Sequence, residues 1–186
     1  MLFPSVVLAF CLLWTVASAR TPPTVYLIRH GEKPADKEDH RLTHKGKERA
    51  QCLRTVFGAE SEYDIGYIIA PTVKKHGKHG RPFETVRPLA KDLGLKIDTH
   101  CSRKSGACVA DAIWSYDGPR NILISWRHGT LSDIQWFLGS EYPLEYPYDR
   151  YDLIWTIPYP YDVITEVRSE NCSGIDIPSP GLVMQN

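Results

Sequence analysis

The sequence predicts an α/β protein built on a mainly parallel sheet with helices over both faces, and three observations predict it. Thr24 to Ile28, Gly66 to Ala70 and Asn121 to Ser125 are short runs that are apolar almost without a break. Strands exposed on one face alternate apolar and polar residues, whereas strands of a covered parallel sheet are buried on both faces and read as continuous apolar runs. Segments with apolar residues at helical spacing lie between these runs, which is the strand–helix alternation of a parallel sheet. Length is the third observation. Once a leader is set aside, 167 of the 186 residues remain, enough for one domain with a core and too few for two.

That leader is residues 1–19. Val6 to Trp14 is a short apolar core followed by Ala17-Ser18-Ala19, the small-x-small pattern of a signal-peptidase site. The core is well short of the about 20 residues that a bilayer span needs. The expected product is an exported chain of residues 20–186, with no membrane attachment once the leader is removed.

The elements follow in order. Thr24 to Ile28 is the first strand. Thr43 to Phe57 reads as a helix, because Thr43 can cap it and Ala50, Leu53, Val56 and Phe57 recur at helical spacing. Gly66 to Ala70 is a strand ending at Pro71. Thr85 to Leu93 is a helix carrying Val86, Leu89, Ala90 and Leu93 on one face, closed by Gly94. Val109 to Tyr116 is a weaker helix, Asn121 to Ser125 a third strand, and Leu131 to Leu138 a helix stopped by Gly139. Tyr151 to Ile157 and Val163 to Val167 read as two further strands, placed at a sheet edge by Pro158 and Pro160. A loose tail is expected from about residue 174.

Charge and cysteines narrow the class. The 22 basic residues balance 22 acidic ones, so no polyelectrolyte partner is implied. Of five cysteines, Cys11 lies in the leader. Four in an exported chain read as two disulfides, with three possible connectivities. Cys101 and Cys108 are close enough in sequence to close a local loop, which leaves Cys52 to tie Cys172 to an early helix.

The chemistry collects where strands end. The first strand runs into Arg29-His30-Gly31 and the third into Trp126-Arg127-His128-Gly129. The second feeds a basic loop, Lys74 to Arg81, containing His76 and His79. In open parallel sheets ligands sit beyond the carboxyl ends of the strands. Three strands therefore bring cations and imidazoles to one rim, and an anion belongs there. His76-x-x-His79 has no carboxylate or thiolate beside it, so no metal site is expected. Aromatic residues are not interleaved with the basic ones, so no nucleic-acid partner is expected either.

"LIRHGEKP", "LTHKGKERA", "RPFETVRPLA" and "ILISWRHGTLSDI" occur in an order that resembles the histidine phosphatase superfamily, also called phosphoglycerate mutase-like, from about Val25 to Gly139. The chain is most similar in length to its small exported fungal-type members. The resemblance implies a three-layer α/β/α sandwich and a phosphomonoesterase working through phosphohistidine. It places the nucleophile on His30, phosphate-binding arginines on Arg29 and Arg81, and a second pocket histidine on His128. It implies no cofactor and no metal, and a small phosphorylated substrate; the chain is expected to act as a monomer or homodimer.

A phosphoryl group in transfer spreads charge over three oxygens, and planar guanidiniums match it with paired donors. His30 must keep one nitrogen unprotonated to attack, so its other nitrogen needs an acceptor, expected to be a nearby backbone carbonyl. The proton donor for the leaving oxygen is less clear in the sequence. Glu32, Asp111 and Asp133 are the candidates. Members of the small exported type carry Glu before the second histidine, where this chain has Arg127. Arg127 either strengthens phosphate binding or removes the acid, leaving a catalytically weak phosphate-binding protein as the alternative. Specificity is expected from Pro34 to Arg41, the basic loop, and Ser102 to Ala107, all irregular segments near the rim.

Overall fold

The computed structural model describes residues 21–176; the expected leader and residues 177–186 lie outside them. Six strands form a single sheet: β1 (Val25–Arg29), β2 (Ile65–Ile69), β3 (Ile97–Asp98), β4 (Asn121–Trp126), β5 (Leu153–Ile157) and β6 (Glu166–Ser169). Their order is β3-β2-β4-β1-β5-β6. β1 to β4 are mutually parallel, and β5 and β6 join as an antiparallel pair beside β1. Four helices cover the sheet: α1 (His44–Val56), α2 (Arg81–Asp92), α3 (Gly106–Trp114) and α4 (His128–Leu138).

The continuous apolar runs are explained by two cores. Val25 and Leu27 of β1 and Ile122, Ile124 and Trp126 of β4 point to the side covered by α3 and α4. Ile28 and Leu123 point to the other side, against Leu53 and Phe57 at the α1 end and Val86 and Leu89 of α2. Each central strand is buried on both faces, and the result is the expected three-layer α/β/α sandwich.

Several boundaries differ from the sequence reading. β3 is two residues long and carries no recognisable pattern. β5 is interior, hydrogen-bonded to β1 and β6, so of the two strands expected at an edge only β6 is there; β3 forms the opposite edge. α2, α3 and α4 each begin three or four residues before the expected start, at Arg81, Gly106 and His128. Each first turn opens on Arg-Pro, Gly or His-Gly, which sets up no apolar periodicity, so the recognisable stripe of large apolar side chains starts about one turn after the helix does. Pro82 suits that first turn, where its missing N–H costs nothing.

Both expected disulfides are present, Cys52–Cys172 and Cys101–Cys108. The chain expected to be loose from about residue 174 is held as far as Asp176. There the carboxylate accepts from the Cys172 N–H at 2.7 Å and pairs with Arg49 at 2.6 Å. Among the described residues no helix is long and apolar enough to cross a membrane.

Candidate active site

β1 and β4 run parallel and in register from Val25 opposite Ile122 to Arg29 opposite Trp126, so the two strands end side by side. The His30 N–H extends this pairing with a 2.9 Å bond to the Trp126 carbonyl. Register alone therefore sets the residues after each strand, His30 and Arg127-His128, on the same edge. β5 is antiparallel to β1 and enters the sheet at that edge, bringing the Tyr146 to Asp152 segment with it.

His30 is buried, and its Nδ1 lies 2.7 Å from the Gly31 carbonyl oxygen. A carbonyl only accepts, so Nδ1 carries the proton and Nε2 keeps its lone pair. Burial, and then the nearby positive charges of Arg29, Arg81 and His128, push the imidazole down to about 3. It is neutral across the working range of most enzymes, as an attacking nitrogen requires.

Gly31 is held from two sides. Its N–H donates to Thr85 Oγ1 at 2.9 Å, and that hydroxyl donates to the Arg81 carbonyl at 2.8 Å. Thr85 thereby locks the turn carrying His30 to the first turn of α2, where Arg81 sits. On the other side the backbone approaches α1 closely: a Cβ on Gly31 would stand 2.9 Å from the Gly46 carbonyl oxygen.

The arginines are clamped as well as charged. Arg29 stacks 3.8 Å from the Tyr151 ring centroid, and one terminal nitrogen donates to the carbonyls of Pro147, Tyr148 and Arg150 at 3.3, 2.6 and 2.5 Å. Its Nε and other terminal nitrogen are buried with no partner, an orphaned donor edge that an anion would satisfy. Arg81 donates from Nε to the Arg41 carbonyl at 3.1 Å and from a terminal nitrogen to the Asp39 carbonyl. It pins the Pro34 to Arg41 loop beside His30. His128 opens α4, packs its ring edge-on to Tyr148 at 5.3 Å, and also has an unpartnered buried Nδ1. Burial, then Arg29, Arg127 and Lys33, lower its imidazole to about 4, so it is neutral at pH 7 and donates only one proton.

A cavity of about 190 Å3 opens over His30 and Arg81. All three segments read from the sequence as specificity loops contribute to it. The first supplies Lys37, Glu38 and His40, the basic loop supplies Lys78 and His79, and the disulfide-closed loop supplies Arg103. Arg127 completes the wall. Arg29 and His128 are not in this lining, but both stand close enough to His30 to oppose its protonation, Arg29 as a permanent charge and His128 only once it is itself protonated. A larger cleft of about 650 Å3 adjoins and shares Glu38 and His40.

The carboxylates singled out from the sequence lie elsewhere. Both oxygens of Glu32 are held by Arg49, at 2.8 and 3.1 Å, within a buried network that includes Glu170 and Asp176. Asp133 is exposed on α4 with its Cβ against Gly106 at the start of α3. Asp111 is exposed on α3 and lines a separate cleft with His100 and Tyr116. The structure does not bring these three to the His30 cavity. The carboxylate that is there is Glu38, which the sequence does not single out, since nothing in Ala35-Asp36-Lys37-Glu38-Asp39 distinguishes one acid from its neighbours. The aromatic clamp of Tyr146, Tyr148 and Tyr151 was also missed, although the density of Tyr and Pro before β5 was its visible sign.

The chain matches no protein-family model and no curated protein. Solved structures do resemble it. SixA from Agrobacterium tumefaciens, assigned as a phosphohistidine phosphatase, superposes with a TM-score of 0.55 at 14% identity, over 80% of this chain and 98% of its own. Phosphoserine phosphatase from Entamoeba histolytica, in complex with 3-phosphoglyceric acid, gives 0.54 at 14% identity, over 81% of this chain and 98% of its own. A mutant of the same phosphatase with phosphoserine gives 0.54 at 12% identity, over 81% of this chain and 99% of its own. At this identity the likeness is one of fold, and the fold is the phosphoglycerate mutase-like one of histidine phosphatases.

Proposed function

We propose that this protein is a phosphomonoesterase of the histidine phosphatase kind, acting through phosphohistidine at His30 and exported from the cell. The observation that carries the reading is the state of His30: a buried neutral imidazole whose Nδ1–H is committed to the Gly31 carbonyl, with Arg29, Arg81 and His128 close around it. In the first step Nε2 attacks phosphorus and the bond to the leaving oxygen breaks, while Glu38 gives that oxygen its proton. In the second, water gives its proton to Glu38 and attacks the phosphohistidine; the P–N bond breaks, releasing orthophosphate and restoring His30. Guanidiniums that are already oriented need little reorganisation as charge builds on the phosphoryl oxygens. The names of the structural neighbours, a phosphohistidine and a phosphoserine phosphatase, support the reaction class. Two disulfides are compatible with export.

The test is hydrolysis of an aryl phosphate and of an alkyl phosphate, with trapping of an acid-labile, alkali-stable phosphoenzyme. His30→Ala is expected to lose at least about a thousandfold in kcat and to trap no label. Glu38→Gln is expected to lower kcat about a hundredfold on the alkyl ester and far less on the aryl ester, whose leaving group needs no proton. Activity that survives in His30→Ala would overturn the mechanism. Tight phosphate binding with no turnover on any ester would favour the second reading, a phosphate-binding protein, for which Arg127 at the cavity wall in place of an acid is the motivating observation.

A further inference from the structure

One phosphoryl group does not account for the charge around His30. Arg29, Arg81, His30 and His128 already surround the group to be transferred. Lys37, Lys78, Arg103 and Arg127 line the same cavity, opposed there by one carboxylate, Glu38. The chain as a whole is neutral, 22 basic against 22 acidic, so this concentration is local.

The pairing of the arginines separates site from surface. Arg41, Arg49, Arg54, Arg87, Arg120, Arg150 and Arg168 each pair with a carboxylate. Arg29 and Arg81 donate to backbone carbonyls. Among the described residues Arg103 and Arg127 are the two whose guanidiniums do neither, and both face the His30 cavity. Each is carried on fixed backbone. The Arg103 carbonyl accepts from Trp126 Nε1 at 2.9 Å and from the Thr130 hydroxyl at 3.3 Å, inside the loop closed by Cys101–Cys108. Arg127 is the N-cap residue of α4, its carbonyl bonded to the Thr130 N–H at 3.1 Å. The crowding of charge is felt by His79, which burial and then Arg103, Lys74 and Lys78 lower to about 4. Like charges held together without counter-ions destabilise a fold, and a polyanionic ligand removes that repulsion.

We infer that the substrate carries a second phosphoryl group, bound by Arg103 and Arg127 with Lys37 and Lys78 at the mouth, while the first lies at His30. The substrate class is a small polyphosphorylated molecule. The assignment rests on the phosphatase reading for the first group and on the unpaired guanidiniums for the second.

The experiment compares orthophosphate with inorganic pyrophosphate by calorimetry at low salt, and an alkyl monophosphate with the matching α,ω-bisphosphate by kcat/KM. Pyrophosphate and the bisphosphate are expected to be favoured by at least about tenfold. Arg103→Ala and Arg127→Ala are each expected to reduce that ratio to about threefold or less, and Arg120→Ala, an arginine paired with Asp64, to leave it as it was. Equal affinity and equal kcat/KM for one and two phosphoryl groups would overturn the inference, as would variants that weaken both ligands alike. Tight binding of an acidic phosphopeptide with no preference between the small phosphates would overturn it in favour of a protein substrate. The binding arm needs no turnover. An Arg103-dependent preference for pyrophosphate in a protein that hydrolyses nothing condemns the phosphatase reading and upholds the subsite; turnover without the preference does the reverse.

Discussion

His30 and Gly31 are the residues on which the site turns. An imidazole in water titrates near neutrality, and half of it would then be protonated at the pH where it must attack. Here burial comes first and neighbouring cations second in holding it at about 3. The sign follows: protonation would disable the proposed nucleophile, and the folded state resists protonation until the pH nears 3. The resonance of the His30 ring Cε1 proton is therefore expected to stay at its neutral position from pH 8 down to pH 5. A midpoint near the ordinary 6.5 would refute the buried, cation-flanked geometry. A backbone carbonyl as the acceptor for one His30 nitrogen is expected from the sequence; that it is the Gly31 carbonyl, and that Nδ1 carries the proton, is decided by the fold. Glu38 was not legible in the sequence, since only the carbonyl bonds from Arg81 to Asp39 and Arg41 bring its loop to the cavity.

The first turn of α2 does work that its sequence only half reveals. Arg-x-x-x-Thr spaces two polar residues one turn apart, and the structure uses the second to hold the first: Thr85 bonds both the Arg81 carbonyl and the Gly31 N–H. Thr85→Val keeps the shape and removes both bonds, leaving a buried N–H unsatisfied at a cost of about 1–3 kcal/mol. Denaturant unfolding is expected to show that loss, and, on the proposed mechanism, kinetics a lower kcat with little change in KM, since His30 is displaced while the cationic wall remains. Thr85→Ser restores the hydroxyl and is expected to recover most of both. A Val variant with wild-type kcat would show that the bridge has no part in positioning. The starts of α2, α3 and α4 were read one turn late for a related reason. Arg81 and His128 open α2 and α4 at the site, and Gly106 opens α3 in close approach to Asp133 of α4; none of the three carries an apolar stripe.

Across the whole molecule, the end of the described chain is tied to α1 by Cys52–Cys172 and by Arg49, which holds Glu32, Glu170 and Asp176. The disulfide spans 120 residues of sequence, and in the loop-entropy model such a link contributes about 4–5 kcal/mol. The network has a pH signature. One guanidinium faces three carboxylates, and burial, opposed only in part by Arg49, pushes Glu170 up to about 8. A carboxyl whose folded pKa is raised gives stability that is full below its unfolded value and lost as pH rises through the folded one. His30, His79 and His128, all lowered, act in the opposite sense at acid pH, so the informative quantity is a difference. Glu170→Gln is expected to gain stability relative to the parent as pH is raised from about 4.5 to 8, measured by chemical unfolding at each pH. A difference independent of pH would show that Glu170 is ionised throughout.

By itself the sequence determined the fold class, the Cys101–Cys108 disulfide and the edge at which chemistry gathers, because these follow from local patterns: apolar runs, helical spacing, cysteines seven apart, and Arg-His-Gly at strand ends; Cys52–Cys172 was the pair that remained. Tertiary structure alone decided which charges face the cavity. Glu32 looked like an acid near His30 and is bound by Arg49 from α1; Glu38, indistinguishable in sequence from the acids beside it, stands in the wall. A charged side chain's partner is set by contacts across the chain, not by its neighbours in sequence. For that reason Arg127, at first a residue out of place, is understood only beside Arg103, as half of an unpaired couple aimed at one cavity.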